Sequence, residues 1–404
     1  MKVIFIDQTS QFDHHQVFNS SIVDILSLTF KTKEMTCEGI ATSHLSMKPL
    51  ISQGLRDEIT YNSIVYPRTP KRIFFKFFVY FRKEYIRYHH FKNIFKQNNS
   101  ENTVIFLSIS TFTGLYYYRR FAKRSVAKVL CVLHGDMDYL YKAESFNQKL
   151  NAYTHSKILG MGAQVNFKYV LLNKVTKPVF LKDNWLTDNE MIDIFKPISS
   201  EYNGMPTASQ SPGLILGHIG SMEIRRKQSQ LLYPLAQEMN KFSNLKFRTV
   251  GLVTAEIIPY KNDYVQEISG NKSENEPFYL SREDYVSELQ KLDYVLFFFP
   301  SDEYVMRASG AVMDFVGFLK PIIALKHPLF DYFTDTFGDI GYICDTMEEM
   351  QEVIADLSKK TPESLARYQC FVDNLAKLRA KSAVSEVAIE LREQLTKKGW
   401  DLNE

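Results

Sequence analysis

Residues 294–327 hold the side chains best suited to chemistry. A run Tyr294-Val295-Leu296-Phe297-Phe298-Phe299 stops at Pro300, and a polar loop leads to Ala308-Ser309-Gly310 and a helical pattern. A second apolar run begins after Lys320-Pro321. A helix that starts with Ser and Gly offers unpaired backbone N–H groups at a positive dipole end, which suits a diphosphate. Arg307 stands just before it, where a guanidinium can grip phosphate oxygens in pairs. Asp314 lies on the same helix, and its carboxylate can accept from two adjacent ribose hydroxyls. A second set follows another apolar run: Ile219-Gly220-Ser221-Met222-Glu223-Ile224-Arg225-Arg226-Lys227. With a helix expected over 223–242, three cations crowd its start against the dipole, which favours an anion nearby. A third set, His134-Gly135-Asp136-Met137-Asp138, follows the run 128–133. It supplies an imidazole and two carboxylates, either of which can serve as a general base. Each set also has a plain reading: a solvated Arg with a surface Asp, a basic helix start, and a Gly-Asp turn.

The other strong signal is a basic, aromatic block. Residues 71–96 hold eight Lys or Arg and one acid, while the rest of the chain holds 41 basic against 45 acidic residues. The total of +3 therefore conceals a local +7. From Phe74 to Phe95, ten of twenty-two residues are Phe or Tyr. At helical spacing Phe74, Phe77, Phe78, Phe81, Tyr85, Tyr88 and Phe95 share one face, with Arg72, Lys76, Lys83, Arg87 and His90 opposite. A basic helix with an aromatic face is the pattern of an interfacial membrane element. The same face can instead pack on a sheet, or stack on nucleic acid. The acidic remainder of the chain argues against nucleic acid as a partner.

These residues need elements to hold them. Short β-branched runs alternate with helical stretches, the pattern of parallel βα units. Strands are expected at 3–6, 103–109, 128–133, 168–172, 178–181, 213–218, 246–251, 277–280, 294–299 and 321–325. Helices are expected near 16–30, 112–124, 142–160, 223–242, 282–292, 308–319, 346–358 and 362–398, the last broken near 380. In 197–213, eleven of seventeen residues are Gly, Pro, Ser, Thr or Asn. That density of breakers marks a linker between two α/β halves. Ligand is then expected at the carboxyl ends of the strands. After the first strand stands Gln8-Thr9-Ser10-Gln11-Phe12-Asp13-His14-His15, with no glycine-rich turn, so a dinucleotide fingerprint is not supported. The four cysteines show no disulfide or zinc spacing. The first apolar run is too short for a signal-peptide core, and no run spans a bilayer, so the expectation is a cytoplasmic protein.

Residues 304–323, with Arg307, Ser309, Gly310, Asp314, Lys320 and Pro321, resemble the donor-binding segment of GT-B glycosyltransferases related to family four. There a Ser/Glu-rich loop leads into a helix carrying an acid, followed by Gly-x-Pro-Val. Asp314 takes the place of the second glutamate of that family's Glu-x7-Glu motif. The first falls at Met306, a departure for which Glu303 is the nearest acid. The 219–227 segment is similar to the family's Gly-x(5–6)-Lys loop. The resemblance implies two Rossmann-like domains facing across a cleft. The acceptor domain is 1–196 and the donor domain 214–375, with 376–404 returning to the first. It implies sugar transfer from a nucleotide-sugar donor to a glycan or lipid-linked acceptor, with retention, in bacterial surface polysaccharide synthesis. No cofactor or obligatory metal is expected. It assigns Lys227 and Arg226 to the leaving group, Arg307, Ser309, Gly310 and Gly220 to the diphosphate, Asp314 to the ribose, and His134 to the reacting sugar, while Asp136 or Asp138 is close enough to serve as the base if configuration inverts. Arg72, Lys76, Phe77, Phe81, Lys83 and Arg87 are expected to hold the membrane or acceptor, on the inner face of the plasma membrane. A non-hydrolysing nucleotide-sugar epimerase, or an inactive scaffold of the same build, stands as the alternative.

Overall fold

The structure is a computed structural model that describes residues 1–10, 15–68, 73–109, 111–133, 137–198, 213–269 and 280–402. Two compact units divide the chain, Met1–Ser199 with Ser382–Glu404, and Ser200–Lys381. Of the expected 197–213 linker, residues 199–212 lie outside the described residues, as do 277–279 of one expected strand.

Unit 1 is built on seven parallel strands: β1 (Lys2–Asp7), β2 (Met35–Gly39), β3 (Thr60–Ser63), β4 (Thr103–Ile109), β5 (Lys128–Val132), β6 (Phe167–Leu171) and β7 (Met191–Asp193). Their order is β3-β2-β1-β4-β5-β6-β7. The inner strands are apolar along their length because helices cover both faces, and Phe5 stacks on Phe106 between neighbours at 5.9 Å. The expected strand 178–181 is a helix, Thr176–Lys182. Its Pro178 sits in the first turn, where a missing N–H costs nothing, and Thr176 and Phe180 face inward four residues apart while Leu181 is exposed. The long C-terminal helix breaks where expected, between Pro362–Lys381 and Val384–Lys397. The second piece is part of unit 1. It packs on Gln16–Phe30, burying Val387, Leu391 and Leu395, and Arg392 donates to the Thr29 carbonyl oxygen at 2.6 Å.

Unit 2 has six parallel strands: β8 (Leu214–Ile219), β9 (Leu245–Val250), β10 (Val265–Ile268), β11 (Tyr294–Phe297), β12 (Ile322–Leu325) and β13 (Gly341–Cys344). Their order is β10-β9-β8-β11-β12-β13. Counted within the unit this is 3-2-1-4-5-6, the doubly wound Rossmann order. Chain order reverses between β8 and β11, and crevices outside the carboxyl ends of such a strand pair are where open α/β sheets bind ligands. In unit 1 the corresponding reversal lies between β1 and β4.

Candidate functional site

β8 ends at Ile219 and the chain turns at Gly220, whose φ of +80° is left-handed. Gly251, after β9, braces that turn: a Cβ there would lie 2.4 Å from the Gly220 carbonyl oxygen, so only glycine fits. The helix expected over 223–242 is interrupted. Ile224–Lys227 forms one turn, Gln228 takes a left-handed φ of +47°, and Leu232–Met239 resumes after a tight 3-10 turn. The three cations thus stand at the carboxyl end of a turn, where the dipole favours them, and the helix-start argument for an anion falls.

Geometry supplies a better argument. Arg226 pairs with Glu223 at 3.3 Å, and Arg225 reaches the Glu303 carboxylate at 3.9 Å. Lys227 alone is buried. Its Nζ donates to the Ser221 carbonyl oxygen at 2.6 Å and lies 3.5 Å from the place a Gly220 Cβ would occupy. Burial pushes its ammonium down to about 8; the carboxylates of Glu223 and Asp314 oppose that shift and Arg226 adds to it. An ammonium carries three donors, of which Ser221 takes one.

β11 leads into the second half of the site. Tyr304 holds a left-handed φ of +55° with its ring stacked on Phe299, centroids 4.4 Å apart. His327, fully buried, donates from Nε2 to the Glu303 carbonyl oxygen at 2.6 Å, while its Nδ1 accepts the Leu329 N–H at 3.1 Å. The two partners fix the tautomer and anchor the loop. Met306 is buried, and so is Glu303. Ser309 occupies the N-cap of the helix Gly310–Gly317 without capping it through its side chain. A Cβ on Gly310 would meet nothing within 4 Å, so the helix opens onto free space, and Ala311 lies against Gly220. Gly220, Lys227 and the helix start therefore meet at the carboxyl ends of β8 and β11. Arg307 is half-buried two residues before the cap. Leu319 takes a left-handed φ of +52° at the position where the family pattern has glycine.

Asp314 is not the solvated acid a surface reading implies. Its Oδ1 accepts from Arg282 at 3.0 Å and its Oδ2 from the Tyr285 hydroxyl at 2.9 Å, both on the helix Arg282–Gln290. Neither residue carries a spacing signal toward Asp314, about thirty positions away. Arg225 beside Glu303 was equally unmarked.

In unit 1, His134, Gly135, Asp136 and Arg72 lie outside the described residues. The basic aromatic block is a helix, Ile73–Gln97, that behaves as two halves. Phe91, Ile94 and Phe95 are buried, with Phe91 and Phe95 each 5.4 Å from the Tyr118 ring, so this half packs on the fold. Phe75, Phe77, Phe78, Tyr80, Phe81 and Tyr85 are all exposed, and Lys76 and Arg82 stand exposed among them. The single aromatic face is thus corrected: Phe95 belongs to the core and Phe77 to the surface. Arg87 is corrected too. It is buried and ion-paired with Glu84 one turn earlier, so it presents no cation to a membrane. Lys83 is half-buried.

No protein-family model and no curated protein matches the chain. Solved structures do. HepE from Anabaena, crystallised with UDP-glucose, superposes with a TM-score of 0.65 at 13% identity, covering 98% of this chain and 100% of its own. The chain has the GT-B fold. A glycosyltransferase from Rickettsia africae matches with a TM-score of 0.60 at 14% identity, covering 98% of this chain and 97% of its own. The lipopolysaccharide outer core galactosyltransferase WaaB matches at 0.59 and 9% identity, covering 98% and 100%. At such identities the likeness establishes architecture, and the residues must argue the chemistry.

Proposed function

We propose that the protein transfers a glycosyl group from a nucleotide-diphosphate sugar to a glycan or lipid-linked acceptor, as in surface polysaccharide synthesis. The observation that carries this is the meeting of Gly220, buried Lys227 and the open start of Gly310–Gly317 at the reversal point of the unit 2 sheet. In the reaction the anomeric C–O bond to the β-phosphate breaks, a bond to the acceptor oxygen forms, and the acceptor proton passes to a base. Negative charge grows on the departing diphosphate, where Lys227 and the helix dipole are already oriented. Arg307 grips the diphosphate, and Asp314, held still by Arg282 and Tyr285, receives the ribose hydroxyls. Glu303 is the acid available where Met306 replaces the family's first glutamate. His134 faces the reacting sugar by resemblance, with Asp136 the base if configuration inverts and retention the expected outcome. No metal is required in this scheme, so chelation with EDTA should leave transfer intact.

A UDP-sugar is the first donor to test, since HepE was crystallised with one. Calorimetry with UDP and GDP should show binding to the wild type, weakened at least about tenfold in Arg307→Ala, a loss of about 1.4 kcal/mol. Undiminished binding in the variant would remove Arg307 from the site. Epimerised donor in product analysis without acceptor would favour the epimerase reading.

The enzyme further docks on anionic membrane through the exposed end of Ile73–Gln97. Among the described residues no helix is long and apolar enough to cross a bilayer. Six exposed aromatic side chains with Lys76 and Arg82 fit a surface-bound helix, each basic residue adding about 1 kcal/mol near anionic lipid. The helix Phe146–Leu159 exposes a second stripe, Phe146, Leu150 and Tyr153, and both helices pack on Phe112–Ala122. Flotation should succeed with vesicles containing phosphatidylglycerol and fail with phosphatidylcholine alone.

A further inference from the structure

The strand that leads into the Lys227 turn carries a residue out of keeping with its neighbours. Leu214, Leu216 and His218 share one face of β8, and the two leucines belong to the apolar core of unit 2. His218 continues that stripe with an imidazole that is 1% exposed, its ring parallel to that of Phe298 with centroids 6.4 Å apart. Its Nε2 lies 3.0 Å from the Ser229 hydroxyl, and its Nδ1 finds no partner among the described residues. A buried imidazole satisfied on one side only forfeits hydration on the other, in a position an aliphatic side chain would fill without that cost. Departures of this kind collect at functional sites.

Ser229, fully buried, accounts for the imidazole. Its Oγ accepts the Glu223 N–H at 3.1 Å, and its own N–H donates to the Glu223 carbonyl oxygen at 3.1 Å, so both backbone groups of Glu223 close on one residue. The hydroxyl has one proton to give and Nε2 is the acceptor within reach, which leaves the ring proton on Nδ1. Burial, and after it the Lys227 ammonium, pushes His218 down to about 3, so Nε2 remains an acceptor at neutral pH. The closed turn 223–229 carries Lys227. Directly after it Gln228, a non-glycine residue at a left-handed φ of +47°, reverses the chain, its N–H on the Ile224 carbonyl oxygen at 3.0 Å. Such strain persists only where the surroundings fix it. The ammonium is thereby led back to the Ser221 carbonyl oxygen and not out to water. The charged groups that face it are Glu223 and Arg226 on its own turn and Asp314 on the helix Gly310–Gly317, with the neutral His218 ring on β8.

We propose that His218 and Ser229 are positioning residues: through the backbone of Glu223 and Gln228 they keep the Lys227 ammonium buried at the carboxyl ends of β8 and β11, where the departing diphosphate gathers charge. That the cation serves a diphosphate rests on the function proposed above; that the two residues hold it there does not.

The test uses the full chain labelled with 13C-lysine. NMR follows the titration of Lys227 through its Cε signal, assigned by its loss in Lys227→Arg, and calorimetry follows UDP. The wild-type signal should titrate near pH 8. In Ser229→Ala the released ammonium should reach water and its midpoint rise by at least about one pH unit. UDP should bind about tenfold more weakly at pH 7, and the fall in its affinity with pH should move up with the midpoint. His218→Leu, which fills the stripe without an acceptor, should shift the midpoint in the same way. His218→Gln, which keeps an acceptor for the hydroxyl, should hold it near the wild-type value; this pair decides the matter should Ser229→Ala unfold. A lower melting temperature with the Lys227 midpoint unmoved in Ser229→Ala or His218→Leu would show a role in stability alone and overturn the proposal. So would a shift in His218→Gln as large as that in His218→Leu. Shifted midpoints in a chain that binds no UDP would refute the transferase reading and leave the positioning of Lys227 standing.

Discussion

Lys227 is an ammonium kept where an ammonium is costly. Its pKa moves from 10.5 in the unfolded chain to about 8 in the fold, which corresponds to about 3 kcal/mol against the charged form. Between those two values the unfolded chain holds a proton that the folded chain has released, so this residue makes stability rise with pH from about 8 to 10.5. A bound diphosphate reverses the preference. UDP affinity should therefore fall as pH rises past 8, with proton uptake on binding at pH 9 visible as a buffer-dependent calorimetric enthalpy. Lys227→Met should melt higher than wild type at pH 7 and bind UDP at least about tenfold more weakly. Equal affinity at pH 7 and pH 9.5 in the wild type would place Lys227 away from phosphate. Asp314→Asn should weaken UDP more than inorganic pyrophosphate, because the ribose contact is lost to UDP alone while the lost charge beside Arg282 and Lys227 acts on both ligands; equal loss of both would deny that contact. Residue type and spacing made Lys227, Arg307 and Gly310 legible, since all three flank strand ends. Arg282, Tyr285 and His327 were not, because their contacts join elements whose separation in sequence carries no period.

At the scale of elements, Ile73–Gln97 runs through two environments that its composition blended into one. Its distal half presents aromatics outward, and its proximal half supplies Glu84, Arg87 and His90 to the carboxyl edge of the unit 1 sheet. Phe77 and His90 are about 20 Å apart along the axis at 1.5 Å per residue, so the exposed aromatics stand well clear of the carboxyl edge of the sheet. The halves should separate under mutation. Replacing Phe77, Phe81 and Tyr85 by Ser should abolish flotation on anionic vesicles yet leave the melting temperature nearly unchanged, exposed substitutions costing about 0.5 kcal/mol or less. Phe91→Ala should cost about 3–5 kcal/mol in denaturant unfolding, because a fully buried ring leaves a cavity. An unfolding cost for the triple variant as large as that of Phe91→Ala would mean the distal aromatics are core. Long apolar runs such as β4 and β11 were plain in the sequence. β2 and β3 were not: Met-Thr-Cys-Glu-Gly buries only Met35, Cys37 and Gly39 alternately, and Thr-Tyr-Asn-Ser lies at a sheet edge with almost nothing buried. β3 is the edge strand and β2 stands next to it, and strands at a sheet's margin need little apolar character, so both leave a weak trace.

At the scale of the molecule, the chain does not end where its second unit ends. Ser382–Glu404 belongs to unit 1, entering it where the Ile198 N–H donates to the Ser382 carbonyl oxygen at 2.9 Å. Composition suggested a linker over 197–213 and a helix break near 380, and the two units divide at Ser199/Ser200 and at Lys381/Ser382. What the break could not tell is which side the last helix stabilises, since its apolar stripe fits any partner of matching width. The structure places Val387, Leu391 and Leu395 against Gln16–Phe30, with Lys174 paired to Glu390 and Lys398 to Asp188 at 2.8 Å. Three fully buried side chains of this size contribute about 5–9 kcal/mol, comparable with the whole stability of a domain. Deleting 382–404 should then unfold unit 1 selectively. Hydrogen exchange read by mass spectrometry should show peptides from 16–30 and 103–109 losing protection, while those from 214–219 and 294–297, whose core partners lie within unit 2, keep it. Equal loss of protection in both sets would show that the two units fold as a single cooperative body, with the last helix serving both.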